Sequence, residues 1–124
     1  MPKASGAVLL VDDVPSIRNL LARYLEKEGF ETFQAEDGID ALVKLRDTLP
    51  KVIVTDLQMP RMSGWEFIDV VRRRFPAIPI VALSGSIPRE FPAEVKPDRW
   101  FEKSMKRFPD LVQAICDLAQ ETPR

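Results

Sequence analysis

Short apolar runs alternate along this chain with stretches of helical periodicity. Val8–Val11 (VLLV) is apolar at every position, as expected of a strand covered on both faces. Ile17, Leu20, Leu21, Tyr24 and Leu25 then recur at i, i+3, i+4, i+7 and i+8, which predicts an amphipathic helix with Pro15 in its first turn and Gly29 as its stop. A second strand is expected around Phe30–Ala35 and a second helix over Gly38–Thr48, with Ala41, Leu42 and Leu45 inward. Lys51–Thr55 predicts a third strand, and Ser63–Arg74 a third helix with Trp65, Ile68 and Val71 inward. Ile78–Leu83 predicts a fourth strand, Arg99–Glu102 a short fifth, and about Pro109–Ala119 a last helix.

Strands alternating with helices imply crossover connections and a parallel sheet. Five such units in 124 residues predict an α/β, flavodoxin-like, doubly wound five-stranded sheet of order 2-1-3-4-5. A single domain over residues 1–124 is expected, with 1–6 as a flexible lead and 121–124 as a tail. The chain ends soon after the last predicted helix, so either a stand-alone domain or an excised one is expected, without an effector domain. Pro88, Pro92 and Pro97 interrupt the fourth connection, whose helix is expected to be short, distorted or missing.

Composition narrows the chemistry. The net charge of -1 gives no reason to expect nucleic acid, and Arg72-Arg73-Arg74 falls at a predicted helix end, where cations oppose the helix dipole. The single Cys116 forms no internal disulfide and is expected to be inert core on an apolar helix face. With no signal peptide and no membrane-length apolar run, a cytoplasmic protein is expected. The absence of His removes most zinc sites and Ser-His nucleophiles.

The predicted sheet gathers polar residues on its carboxyl edge. Asp12 and Asp13 end strand 1, Asp56 ends strand 3, Ser84 ends strand 4 and Lys103 ends strand 5. In a doubly wound sheet that edge is where ligands bind. Each residue alone has an ordinary explanation as a cap, a strand end or a solvated charge. At four strand ends on one edge, coincidence is the weaker account. Three carboxylates repel one another unless cations compensate, and all-oxygen ligation points to Mg²⁺ or Mn²⁺ beside Lys103. Such a site suits phosphoryl transfer to a carboxylate. Asp56, on the central strand, is the best-placed nucleophile.

The chain resembles the receiver domain of two-component response regulators over nearly all its length. The resemblance rests on VDD at Val11–Asp13, AEDGIDAL at Ala35–Leu42, TDLQMPRMSG at Thr55–Gly64, ALSG at Ala82–Gly85 and FEK at Phe101–Lys103. It implies that Asp56 accepts a phosphoryl group from a histidine kinase or a histidine phosphotransfer protein. It also implies that Asp13, Asp56 and the Gln58 backbone carbonyl hold Mg²⁺, with Asp12 reaching it largely through water. Lys103 and Ser84 would bind phosphoryl oxygens. Ser84 and Trp100 would form the switch, moving toward the phosphoryl group and inward behind it, and altering the strand 4/strand 5 surface for an output partner. Helix 1 near Val14, Pro15 and Arg18 would dock the kinase, and Gln58 and Ser86 would tune the phosphoryl lifetime.

Three positions and one stretch depart from the family pattern. Trp100 replaces Tyr or Phe, Ser84 replaces Thr, Ser104 follows the lysine where Pro is usual, and the prolines argue against dimerisation through helix 4. The expected chemistry is limited to self-phosphorylation and self-dephosphorylation rather than turnover of a substrate. One alternative is a degenerate receiver acting as an interaction or dimerisation module without phosphorylation. The other is a Mg²⁺-dependent aspartyl phosphohydrolase, which Val14 disfavours because such enzymes carry a second Asp at that position.

Overall fold

A computed structural model describes residues 6–85 and 95–121. Residues 1–5 of the expected lead, 122–124 of the expected tail, Ser86 and most of the proline-rich fourth connection, with the helix expected to be short, distorted or missing, fall outside them, while Glu121 of the expected tail closes the last helix. Among the described residues the element order is β1 (Ala7–Val11), α1 (Pro15–Lys27), β2 (Glu31–Ala35), α2 (Gly38–Thr48), β3 (Val52–Asp56), α3 (Gly64–Arg74), β4 (Ile80–Ser84), β5 (Arg99–Glu102) and α4 (Phe108–Glu121). A short 3₁₀ turn, Met105–Arg107, precedes α4. The strands form one parallel sheet in the order β2-β1-β3-β4-β5.

Side chains alternate across each strand, so each central strand feeds two cores. Val8, Leu10, Val54 and Leu83 pack with Leu21 and Leu25 of α1 and Phe108, Leu111 and Ile115 of α4. Leu9, Val11, Ile53 and Ala82 pack on the other face with Ala41 and Leu45 of α2 and Phe67, Ile68 and Val71 of α3. Burial on both sides is what makes β1, β3 and β4 read as unbroken apolar runs.

Local chemistry sets the helix ends. Pro15 opens α1, and Gly29 beyond its end has φ +101°, a conformation that favours glycine. Ser63 and Glu66 form a reciprocal capping box at the start of α3. Asp37 caps α2 through the Asp40 N–H at 2.8 Å and pairs with Arg61, although it is almost fully buried. The bond from the Asp40 N–H, ahead of the Arg61 charge, holds the Asp37 carboxyl below its ordinary range. Asp37→Ala should therefore lower stability by about 1–2 kcal/mol in urea unfolding at neutral pH. A depressed folded pKa gives stability above the ordinary carboxylate value and loses it as pH falls through the folded value. The gap between parent and variant should therefore close in acid.

Two expectations change. Tyr24, on the predicted apolar face, is exposed and meets Phe108 edge-on, whereas Trp65 is half-buried and packs against the α2/α3 core beside the buried Phe67, as expected. Arg72 is not simply solvated. It donates to the Lys96 carbonyl at 2.8 Å and the Asp98 carboxylate at 3.0 Å, because α3 ends beside the segment leading into β5.

Candidate functional site

The chain leaves β1 toward β2 on one side and reaches β3 on the other, so a crevice opens at their carboxyl ends. Asp12 follows β1, with its N–H still bonded to the Ala35 carbonyl at 3.1 Å. Asp56 closes β3, Ser84 closes β4, and Lys103 follows β5 with its N–H on the Ser84 carbonyl at 2.8 Å. Asp12 and Asp56 are 4% exposed and Ser84 is 2% exposed, whereas Asp13 faces solvent.

Lys103 joins the acidic residues. Its Nζ donates to Asp56 Oδ2 at 2.8 Å and to Asp12 Oδ1 at 3.0 Å. Asp56 Oδ1 accepts from the Gln58 N–H at 3.1 Å, and Asp12 Oδ1 also accepts from the Val14 N–H at 2.8 Å. Burial raises the Asp12 pKa more than the Val14 N–H and the Lys103 ammonium lower it. Burial also pulls Lys103 down, but the bonds and charges of Asp56 and Asp12 outweigh it and leave the ammonium above its ordinary value.

The donor set fits a hard divalent cation. Asp12, Asp13 and Asp56 each offer a carboxylate oxygen within 4.8 Å of the others. Asp12 Oδ2 is buried with no hydrogen-bond partner. A buried oxygen left that way costs about 1–3 kcal/mol or more if charged, and a bound cation would offset this. All-oxygen ligation suits Mg²⁺.

The predicted site residues therefore fall into groups. Asp12, Asp13, Asp56 and Lys103 come together, Ser84 lies at the adjoining strand end, and Gln58 contributes its N–H to Asp56. Trp100 lies on β5, 41% exposed, with its ring centre 6.0 Å from Lys96 Nζ. Ser104, in the position after the lysine, accepts from the Lys106 N–H at 3.3 Å and caps the 3₁₀ turn. Two further contributors emerge from the packing. Gly64 lies against the Asp56 backbone, and Arg18 turns its guanidinium onto the Asp12 carbonyl at 2.6 Å. Glycine at the end of the Asp56–Gly64 motif is a signal for the first; nothing in the spacing signals the second.

A doubly wound sheet with buried carboxylates and a lysine at its switch point defines a class of acidic-pocket α/β domains suited to cation and phosphoryl ligands. Within that class the chain belongs to the response regulator receiver domain family, whose profile matches residues 8–99. It is 39% identical over 80 residues to the nitrogen assimilation regulatory protein NtrX of Azorhizobium caulinodans, covering 63% of this chain and 18% of that protein. It is 35% identical over 80 residues to Protein PilG of Pseudomonas aeruginosa, covering 63% of this chain and 59% of that protein. The match thus spans less than two thirds of the length of these relatives. Among solved structures, Vibrio cholerae chemotaxis protein CheY4 superposes with TM-score 0.81 at 32% identity, covering 90% of this chain and 99% of that one. Response regulator TrrA of Thermotoga maritima, in complex with Mg²⁺-BeF, superposes with TM-score 0.83 at 30% identity, covering 91% and 98%.

Elsewhere the packing readings stand. Met59 and Met62 pack against the α2/α3 core. Cys116 is half-buried beside the α1/α4 core, where burial pushes its thiol up and disfavours the reactive thiolate. No helix among the described residues is long and apolar enough to cross a membrane.

Proposed function

We propose that this chain is a phosphorylatable signalling receiver in which Asp56 accepts a phosphoryl group from a histidine kinase or a histidine phosphotransfer protein. The observation that carries this reading is the Lys103 ammonium bonded to two buried carboxylates, Asp12 and Asp56, with Asp13 beside them. Asp56 combines a nearby cation with a position on the central strand, and both suit a nucleophile at this edge.

In the transfer, an Asp56 carboxylate oxygen attacks phosphorus. The donor's P–N bond to histidine breaks, its electron pair stays on the imidazole nitrogen, and an aspartyl phosphate forms. Lys103 donates to one phosphoryl oxygen and the Ser84 hydroxyl to another. Mg²⁺, when bound, supplies charge neutralisation for those oxygens. Asp13, Asp56 and the Gln58 carbonyl would hold it, with Asp12 acting largely through water. For output, Ser84 closes on the phosphoryl group and Trp100 turns inward, which shifts an equilibrium at the β4/β5 surface. A coupling of about 1–3 kcal/mol is enough for such a switch. The TrrA complex with Mg²⁺-BeF, at 30% identity, supports the metal assignment.

Intact-mass measurement after incubation with acetyl phosphate and Mg²⁺ tests the proposal. The parent should gain one phosphoryl group and Asp56→Asn should gain none. A parent that stays unlabelled would move the reading to a phosphorylation-independent interaction module. Steady turnover of unrelated phosphate esters would move it to a phosphohydrolase.

A further inference from the structure

We infer that Arg18 is a positioning residue for the acidic pair, holding the Asp12-Asp13 peptide so that both carboxylates meet the cation; this rests on the receiver reading above. Every polar group of Asp12 except one is fixed by the protein. Its N–H bonds the Ala35 carbonyl at 3.1 Å. Its Oδ1 accepts from Val14 and Lys103. Its carbonyl accepts from Arg18 Nη1 at 2.6 Å. Only Oδ2 has no hydrogen-bond partner.

Arg18 is itself braced, because its Nε donates to Gln34 Oε1 at 2.9 Å. Gln34 lies on β2, paired in register with Leu10 of β1. The guanidinium thus ties the first turn of α1, the end of β1 and the side of β2 into one unit. Arginine's planar fork can bond two acceptors at a fixed angle, which a lysine ammonium does less well. The Asp12 carbonyl belongs to the peptide that joins it to Asp13, so holding that oxygen limits rotation of the link between the two carboxylates. Arg18 is half-buried with its fork turned into the pocket wall. Its part in kinase docking, expected from the resemblance, is therefore separable from this one.

Positioning and plain electrostatics give opposite signs. Removing a cation near an acidic cluster should tighten Mg²⁺ binding by charge alone. Loss of a brace should weaken it, as loss of outer partners of metal ligands does by about tenfold or more. The experiment is calorimetric Mg²⁺ titration of the parent, Arg18→Met, Arg18→Lys and Gln34→Leu, with thermal unfolding of each. The expected result is a Kd about tenfold higher for Arg18→Met, a smaller rise for Arg18→Lys, and a rise for Gln34→Leu, which removes no charge. If Arg18→Met fails to fold, Gln34→Leu decides alone. An unchanged or lower Kd in Gln34→Leu, or in a folded Arg18→Met, overturns the inference while leaving the receiver reading intact. A parent that binds no Mg²⁺ overturns both.

Discussion

Lys103→Met should destabilise the protein by roughly 3 kcal/mol in metal-free urea unfolding at neutral pH, the scale for removing one partner of a buried ion pair. It should also slow labelling of Asp56 by acetyl phosphate by about 10² or more, the scale for loss of a positioned transition-state donor. The side chains of Asp12 and Asp56 are 6% and 5% exposed, and Lys103 bonds both. Methionine has similar length and no charge, so it fills the space and leaves two carboxylates facing each other. In the parent the raised Lys103 pKa contributes stability that is fully present below 10.5, its ordinary value. That stability is lost as pH rises through the higher folded value.

The acid side of the same profile comes from Asp12. Burial already holds its carboxyl above the ordinary range, and loss of Lys103 should push it higher. A raised carboxyl costs stability when ionised and recovers it as pH falls through its folded value. The gap between parent and Lys103→Met should therefore be widest near neutrality and close toward both acid and alkali. Added Mg²⁺ should narrow it at neutral pH. A gap independent of pH and Mg²⁺ would mean that methionine disturbs packing and that the carboxylates are not the cause.

Gly64→Ala should cost about 3 kcal/mol, the upper end of ordinary overpacking. A Cβ at Gly64 would stand 2.1 Å from the Asp56 carbonyl oxygen and 2.6 Å from Leu57 Cα. Both obstacles are backbone, which has no rotamer to yield. The Gly64 N–H also bonds the Leu57 carbonyl at 3.1 Å, so the first turn of α3 is seated on the end of β3. Making room moves α3 away or shifts Asp56 relative to Lys103. The urea midpoint should fall, and labelling of the folded fraction should slow. A variant with parental stability and labelling rate would show that the helix can slide without moving Asp56.

Much of the architecture was legible because it depends on local periodicity. The bounds expected for α2 and β5 match those observed, and the other expected strands and helices differ by one or two residues at their ends, where caps and pairing decide. Ser63 with Glu66 and Pro15 are start signals acting over a few residues. Tyr24 is more exposed than its position on the apolar face predicts, because helical spacing identifies a face and only packing against neighbouring elements decides how much of that face is covered.

By itself the sequence determined the two-faced parallel sheet, its strand order and the residues at the carboxyl edge: Asp12, Asp13, Asp56, Ser84 and Lys103. Apolar runs, crossover lengths and strand-end positions are all properties of short segments read in order. The tertiary structure alone decided how those residues are held. Lys103 meets Asp12 across 91 positions of sequence, Arg18 meets Gln34 across 16, and Gly64 meets the Asp56 backbone through the seating of a helix on a strand. Such contacts depend on distances of a few ångströms between separate elements and on the direction in which a side chain turns. Neither quantity is encoded in a spacing, so the braces around the acidic pocket became visible only when the elements were packed.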